Sequence, residues 1–163
     1  MKSTLILSVF ALFLFTNAQA QEIKGKLTVS GGSKKELTLK SSEAVDLYAA
    51  LRDQAYPIHF VFDGNSLPKT ESGNQVAIIW FRTTLKRDGK VISKLERAPM
   101  PFFPGDMLMP VETFDLISLL TTTTGKADPT SKMAPGSYEV LLEAGPVGAK
   151  GSISAASMVF SVK

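Results

Sequence analysis

The side chains that could do chemistry in this chain are few. There is one histidine, His59, no cysteine, and a set of methionines that includes Met100, Met107, Met109 and Met133. A histidine works as a general base only beside a nucleophile to activate and a carboxylate to orient it. No serine-centred elbow motif accompanies His59, and the absence of cysteine removes a thiol nucleophile and a thiolate metal site together. The carboxylates Glu112 with Asp115, and Glu139 with Glu143, are spaced as acid–base pairs could be. Alternation, however, places Glu139 and Glu143 on a solvent-facing side, where carboxylates keep a sheet soluble. No glycine-rich phosphate cradle follows a strand, and no His/Glu metal spacing occurs. The chain reads as non-enzymatic, with no catalytic residue assigned and no resident cofactor.

Two binding chemistries remain. Met100, Met107 and Met109, with His59, could offer soft thioether and imidazole ligands to cuprous copper. The plainer use of methionine is to fill gaps between aromatic rings, here Phe102 and Phe103. The segment Ala98–Met109 carries Pro99, Pro101 and Pro104. It reads as a stiff apolar connection in which Phe102, Phe103 and Met107 either dock into another protein or fold back over the core.

The bounds of the chain fit a binding role. Leu5 to Phe15 is an apolar run of about eleven residues after Lys2, and Ala18-Gln19-Ala20 is a small-x-small cleavage pattern. Residues 1–20 therefore read as a cleaved signal peptide, too short to span a bilayer, with Gln21 as the expected mature N-terminus. This predicts export to the periplasm or the extracellular space, with no integral membrane segment after cleavage. Residues 21–163 suit one domain with its own core. Loss of Lys2 takes the formal charge from +3 to +2, too little for nucleic-acid binding. The expected partner is another protein, met by a monomer.

The elements that must position these residues are mostly strands. Ile23–Val29 and Glu36–Lys40 predict an opening hairpin or a broken edge strand around Ser30-Gly31-Gly32-Ser33. Ser42 predicts a helix cap, and Ala44, Leu47, Tyr48, Leu51 and Ala55 form one apolar helical face before Pro57. Ile58, Phe60 and Phe62 alternate with His59, Val61 and Asp63. Val76–Lys86 begins apolar on both faces, as a strand covered on both sides does, and Asp88-Gly89 predicts a tight return through Val91–Leu95. Val111–Leu120 predicts a strand giving way to a short helix. Pro135-Gly136 then leads into a strand with Tyr138, Val140, Leu142 and Ala144 inward. A closing strand over Ile153–Val162 has Ala156, Met158, Phe160 and Val162 inward.

About seven strands and one helix predict an all-β domain, an immunoglobulin-like antiparallel β-sandwich. Met133-x-Pro135-Gly136-x-Tyr138-x-Val140 resembles the turn and tyrosine corner that begin the sixth strand of fibronectin-type-III-like and bacterial immunoglobulin-like domains. Trp80 is similar in position to the core tryptophan of immunoglobulin domains. The resemblance covers about the last hundred residues. It departs in lacking a cysteine pair, in a proline-to-tyrosine spacing one residue short, and in the inserted helix. The order Arg87-Asp88-Gly89-Lys90-Val91, Pro104-Gly105-Asp106, Pro135-Gly136-x-Tyr138 is similar to that of a bacterial proteinase-inhibitor family on the same sandwich. Thr121-Thr122-Thr123-Thr124-Gly125 resembles one loop of chagasin-like cysteine-protease inhibitors. These resemblances imply a binding module, with proteinase inhibition or copper or small-ligand carriage as the alternatives.

Overall fold

A computed structural model describes residues 21–52, 56–116, 118–120 and 130–163. The expected leader, Ala55 of the helical face and the Thr121–Gly125 segment lie outside the described residues. The chain forms two sheets packed face to face. One holds, in spatial order, β6 (Gly105–Met109), β3 (Ile58–Asn65), β1 (Glu22–Val29) and β8 (Lys150–Ser154). The other holds β2 (Lys34–Glu36), β9 (Ala156–Val162), β7 (Gly136–Val147), β4 (Ala77–Arg87) and β5 (Lys90–Phe102). The α-helix α1 (Ala44–Arg52) buries Ala44, Leu47 and Leu51. Among the described residues no helix is long and apolar enough to cross a membrane.

The period-2 pattern places the core. Ile58, Phe60 and Phe62 from one sheet meet Ile79, Phe81 and Leu85 from the other, and all are buried. Tyr138, Val140, Leu142 and Ala144 on β7, and Ala156, Met158, Phe160 and Val162 on β9, are buried as alternation predicts. Each large apolar side chain so enclosed contributes about 1.5–3 kcal/mol relative to exposure. Between the sheets, Phe60 meets Phe81 edge to face at 5.4 Å, and Phe81 meets Phe114 likewise at 5.7 Å.

Several sequence expectations are revised. Nine strands are described where turn signals predict about seven. The predicted closing strand breaks at Ala155 into β8 and β9, which lie in different sheets. The opening segment is a broken strand and not a hairpin. After Val29 the chain crosses to the opposite sheet, where β2 lies parallel to β9. β8 also runs parallel to β1, so the pairing is not wholly antiparallel. Val111–Leu120 contains no strand among its described residues. Val111–Phe114 is a 3-10 helix entered from Pro110, and residues 116 and 118–120 are helical. The helical spacing prevails because it buries Val111, Phe114, Leu119 and Leu120 together, while Thr83 Oγ1 donates a 2.7 Å hydrogen bond to the Phe114 carbonyl. At the start of α1, Ser41 rather than the expected Ser42 accepts from a backbone amide: its Oγ takes the Glu43 N–H. The Ser41 N–H in turn donates to the Asp46 carboxylate.

The tight return after β4 forms at Asp88-Gly89, both with positive φ, but β5 then continues well past Leu95. Ala98 to Phe102 belongs to this edge strand, where Pro99 and Pro101 are tolerated. The Tyr138 hydroxyl donates to the Ala134 carbonyl at 2.7 Å, and its ring stacks on Phe160 at 5.1 Å. Replacing Tyr138 by Phe keeps the stack and removes the bond. Urea unfolding is expected to show a loss of about 1 kcal/mol with an unchanged slope, and an unchanged midpoint would show that the hydroxyl contributes nothing.

Candidate functional site

The residues singled out as a copper set do not converge. On β6, Met107 pairs with Phe60 and Met109 with Ile58, so both thioethers face the core side, and Met109 is buried. His59 pairs with Leu108 on the opposite face, where its Nδ1 lies 3.1 Å from Asp106 Oδ1. Met100 pairs with Ile79 in the other sheet. No group of three or more His, Asp or Glu side chains is placed to hold a metal among the described residues. The carboxylates do not form acid–base pairs either. Glu139 binds Lys86 Nζ at 2.9 Å, Asp115 accepts two hydrogen bonds from Arg97, and Glu112 accepts from the Tyr48 hydroxyl at 3.1 Å.

The Ala98–Met109 segment does not project as a loop. Phe102 packs against Phe81 at 5.2 Å and Phe60 at 5.9 Å, and Met107 lies against the same core. Of the three proposed contact residues only Phe103 points outward, at 53% exposure.

A different surface stands out on the outer face of the five-stranded sheet. Because Ile79 and Phe81 point inward, Ile78 and Trp80 must point outward. Sequence reasoning expected this end of β4 to be covered on both sides. Instead Ile78 is 40% exposed and stands between Pro101 of β5 and Val147 of β7, both also exposed. Trp80 is not a core residue. Its indole lies across Gly145 of β7, where an added Cβ would stand only 2.4 Å from Trp80 Cζ2. Glycine is the residue that permits this approach. The sequence pattern places Trp80 in a core covered on both sides, and the structure corrects this, because a one-sided apolar surface and a buried strand share the same residue types.

Charged groups frame the indole. The Arg82 guanidinium carbon lies 5.0 Å from the Trp80 ring centroid, while Nε and Nη2 donate to the two oxygens of Glu143 at 2.9 Å each. Arg82 Nη1 also lies 3.7 Å from Glu96. Hydrogen bonding from Arg82 holds the Glu143 carboxyl below its usual range, against the opposing effect of burial. Beyond Gly145, where β7 and β8 diverge into different sheets, a cavity of about 540 Å³ is lined by Trp80, Pro146, Ala149, Lys150 and Ile153. An aromatic wall and aliphatic sides, with both the Glu143 carboxylate and Lys150 on the lining, suit a protruding apolar group. No protein-family model and no curated protein matches the chain.

Two outcomes test this geometry. Gly145→Ala is expected to lift the indole off β7. Because Trp80 is the only tryptophan, its emission should move to longer wavelength, and an unchanged spectrum would contradict the contact. Glu143 has a lowered folded pKa, so its stabilisation is complete above the unfolded glutamate pKa and is lost as pH falls through the lowered value. Arg82→Gln should therefore flatten the acid side of the stability profile, read as urea midpoints from neutral pH downward.

Proposed function

We propose that this protein is an exported, non-enzymatic binding module that engages another protein through the outer face of its five-stranded sheet. The observation that carries the reading is the exposed row Pro101, Ile78 and Val147 beside Trp80, on the uncovered side of a central strand. Ile78, Pro101 and Val147 are exposed together with the half-buried Trp80 indole beside them, so these apolar groups form one patch rather than scattered single residues. Such groups are the usual anchors of protein interfaces. The Arg82–Glu143 pair adds a polar rim that holds its geometry before any partner arrives.

The scaffold reading is immunoglobulin-like. It is supported by β2 running parallel to β9, by the β9-β7-β4-β5 order, and by the Tyr138 hydroxyl bond back to Ala134 at the start of β7. The export reading rests on residues 1–20. A proteinase inhibitor of the same fold would use the same surface logic with a protease as partner. The copper reading has no comparable support, since its donors lie on different faces.

The test is crosslinking capture from the exported fraction of the native host, using the chain from Gln21 in four forms: wild type, Trp80→Ala, Ile78→Ser and Phe103→Ser. A defined protein held by wild type and Phe103→Ser, but at least tenfold depleted with the Trp80 and Ile78 variants, is the expected result. Purified, that protein should shift the emission of Trp80 on mixing. Equal capture by all four forms overturns the assignment of the face, and loss with Phe103→Ser alone returns the site to the β5–β6 corner.

A further inference from the structure

The sheet order leaves β5 with one neighbour: it pairs with β4, and no described residue pairs with its other side. The other edges are short. β2 has three residues, β8 has five, and β6 has five between Pro104 and Pro110. The far end of β5 is blunted by Pro99 and Pro101. Between its two register irregularities, however, β5 keeps a regular stretch, with Ser93 to Arg97 pairing residue for residue with Leu85 to Phe81. Lys94 and Glu96 are exposed there on the outer face, paired with Thr84 and Arg82, and Leu95 between them points to the core side.

We propose that Ser93–Arg97 pairs with the same stretch of a second copy of the chain, antiparallel about a twofold axis through Leu95. This register sets Lys94 opposite Glu96 of the second copy, and Glu96 opposite its Lys94, forming two equivalent cross-strand ion pairs on the outer face. An axis through Lys94 would oppose two lysines, and one through Glu96 would oppose two glutamates. Charge therefore selects the axis at Leu95. The open backbone groups of the edge would gain partners, and the two five-stranded sheets would become one. Because such an axis is perpendicular to the sheet, both Trp80 clefts would face the same side and offer two sites to one partner surface. A seam this short belongs with small, transient interfaces, below about 1,200 Å².

The inference is tested by sedimentation equilibrium on the chain from Gln21, from micromolar to millimolar concentration. A reversible monomer–dimer equilibrium is expected. Lys94→Glu should weaken it about tenfold, Lys94→Arg should preserve it, and the double exchange Lys94→Glu with Glu96→Lys should restore it. Amide exchange at Ser93–Arg97 should slow as concentration rises. Trp80→Ala should leave the association unchanged, so failure of the dimer and failure of the binding face are told apart. A monomer at every concentration, or a dimer indifferent to Lys94→Glu, overturns the proposal. The Lys94→Arg and Lys94→Glu pair decides the matter even where Glu96→Lys, beside Arg82, impairs folding.

Discussion

Phe60, Phe81, Phe102 and Phe114 meet edge to face in the space between the two sheets, and much of the architecture follows from that cluster. Each ring comes from a different element: β3, β4, the end of β5, and the 3-10 helix after β6. The contacts need the chain to leave one sheet beside Phe102 and enter the other within a few residues, as it does through Phe103 and Pro104. They also need Phe114 to turn inward, which a helical turn achieves and a continued strand would not. The Thr83 bond to the Phe114 carbonyl and the Arg97–Asp115 pair hold that turn against β4 and β5.

With Phe102 committed to this cluster, the proline-punctuated segment loses its role as a projecting apolar loop. Its prolines have a different use. They sit in or beside edge strands, where they remove donors that another chain could pair with. The regular stretch of β5 that they leave uncovered is short and charged. The surface left apolar lies on the opposite side of β4 from the aromatic cluster, where Ile78 and Trp80 alternate with Ile79 and Phe81.

The polar groups of this outer face are arranged rather than scattered. Arg82 serves Glu143, approaches Glu96 and lies over Trp80, while Lys86 serves Glu139 four residues further along the same two strands. The side chains of Arg82 and Glu143 are each about a quarter exposed, so their paired hydrogen bonds are shielded from water in part and outweigh a loose surface ion pair. Gly145 completes the arrangement by leaving room for the indole. These contacts hold the side chains of the outer face in one geometry.

The amino-acid sequence by itself determined the all-β class, the helix α1, the tight turn at Asp88-Gly89 and the inward sets on β3, β7 and β9. Each of these follows from local periodicity or from a turn residue whose backbone preference is local. It also contained the Tyr138 hydroxyl contact, because that bond spans only four residues. Tertiary structure decided the rest. Whether Ile153–Val162 is one strand or two depends on which sheet edges are open to it. Whether Val111–Leu120 is strand or helix depends on the space beneath Phe81 and Thr83. Whether Trp80 is core or surface depends on what lies over β4, and His59 and Met107 are separated by a sheet that no spacing reveals. These outcomes rest on contacts between distant segments, and the energies of such contacts are set by the assembled neighbours rather than by the residues alone.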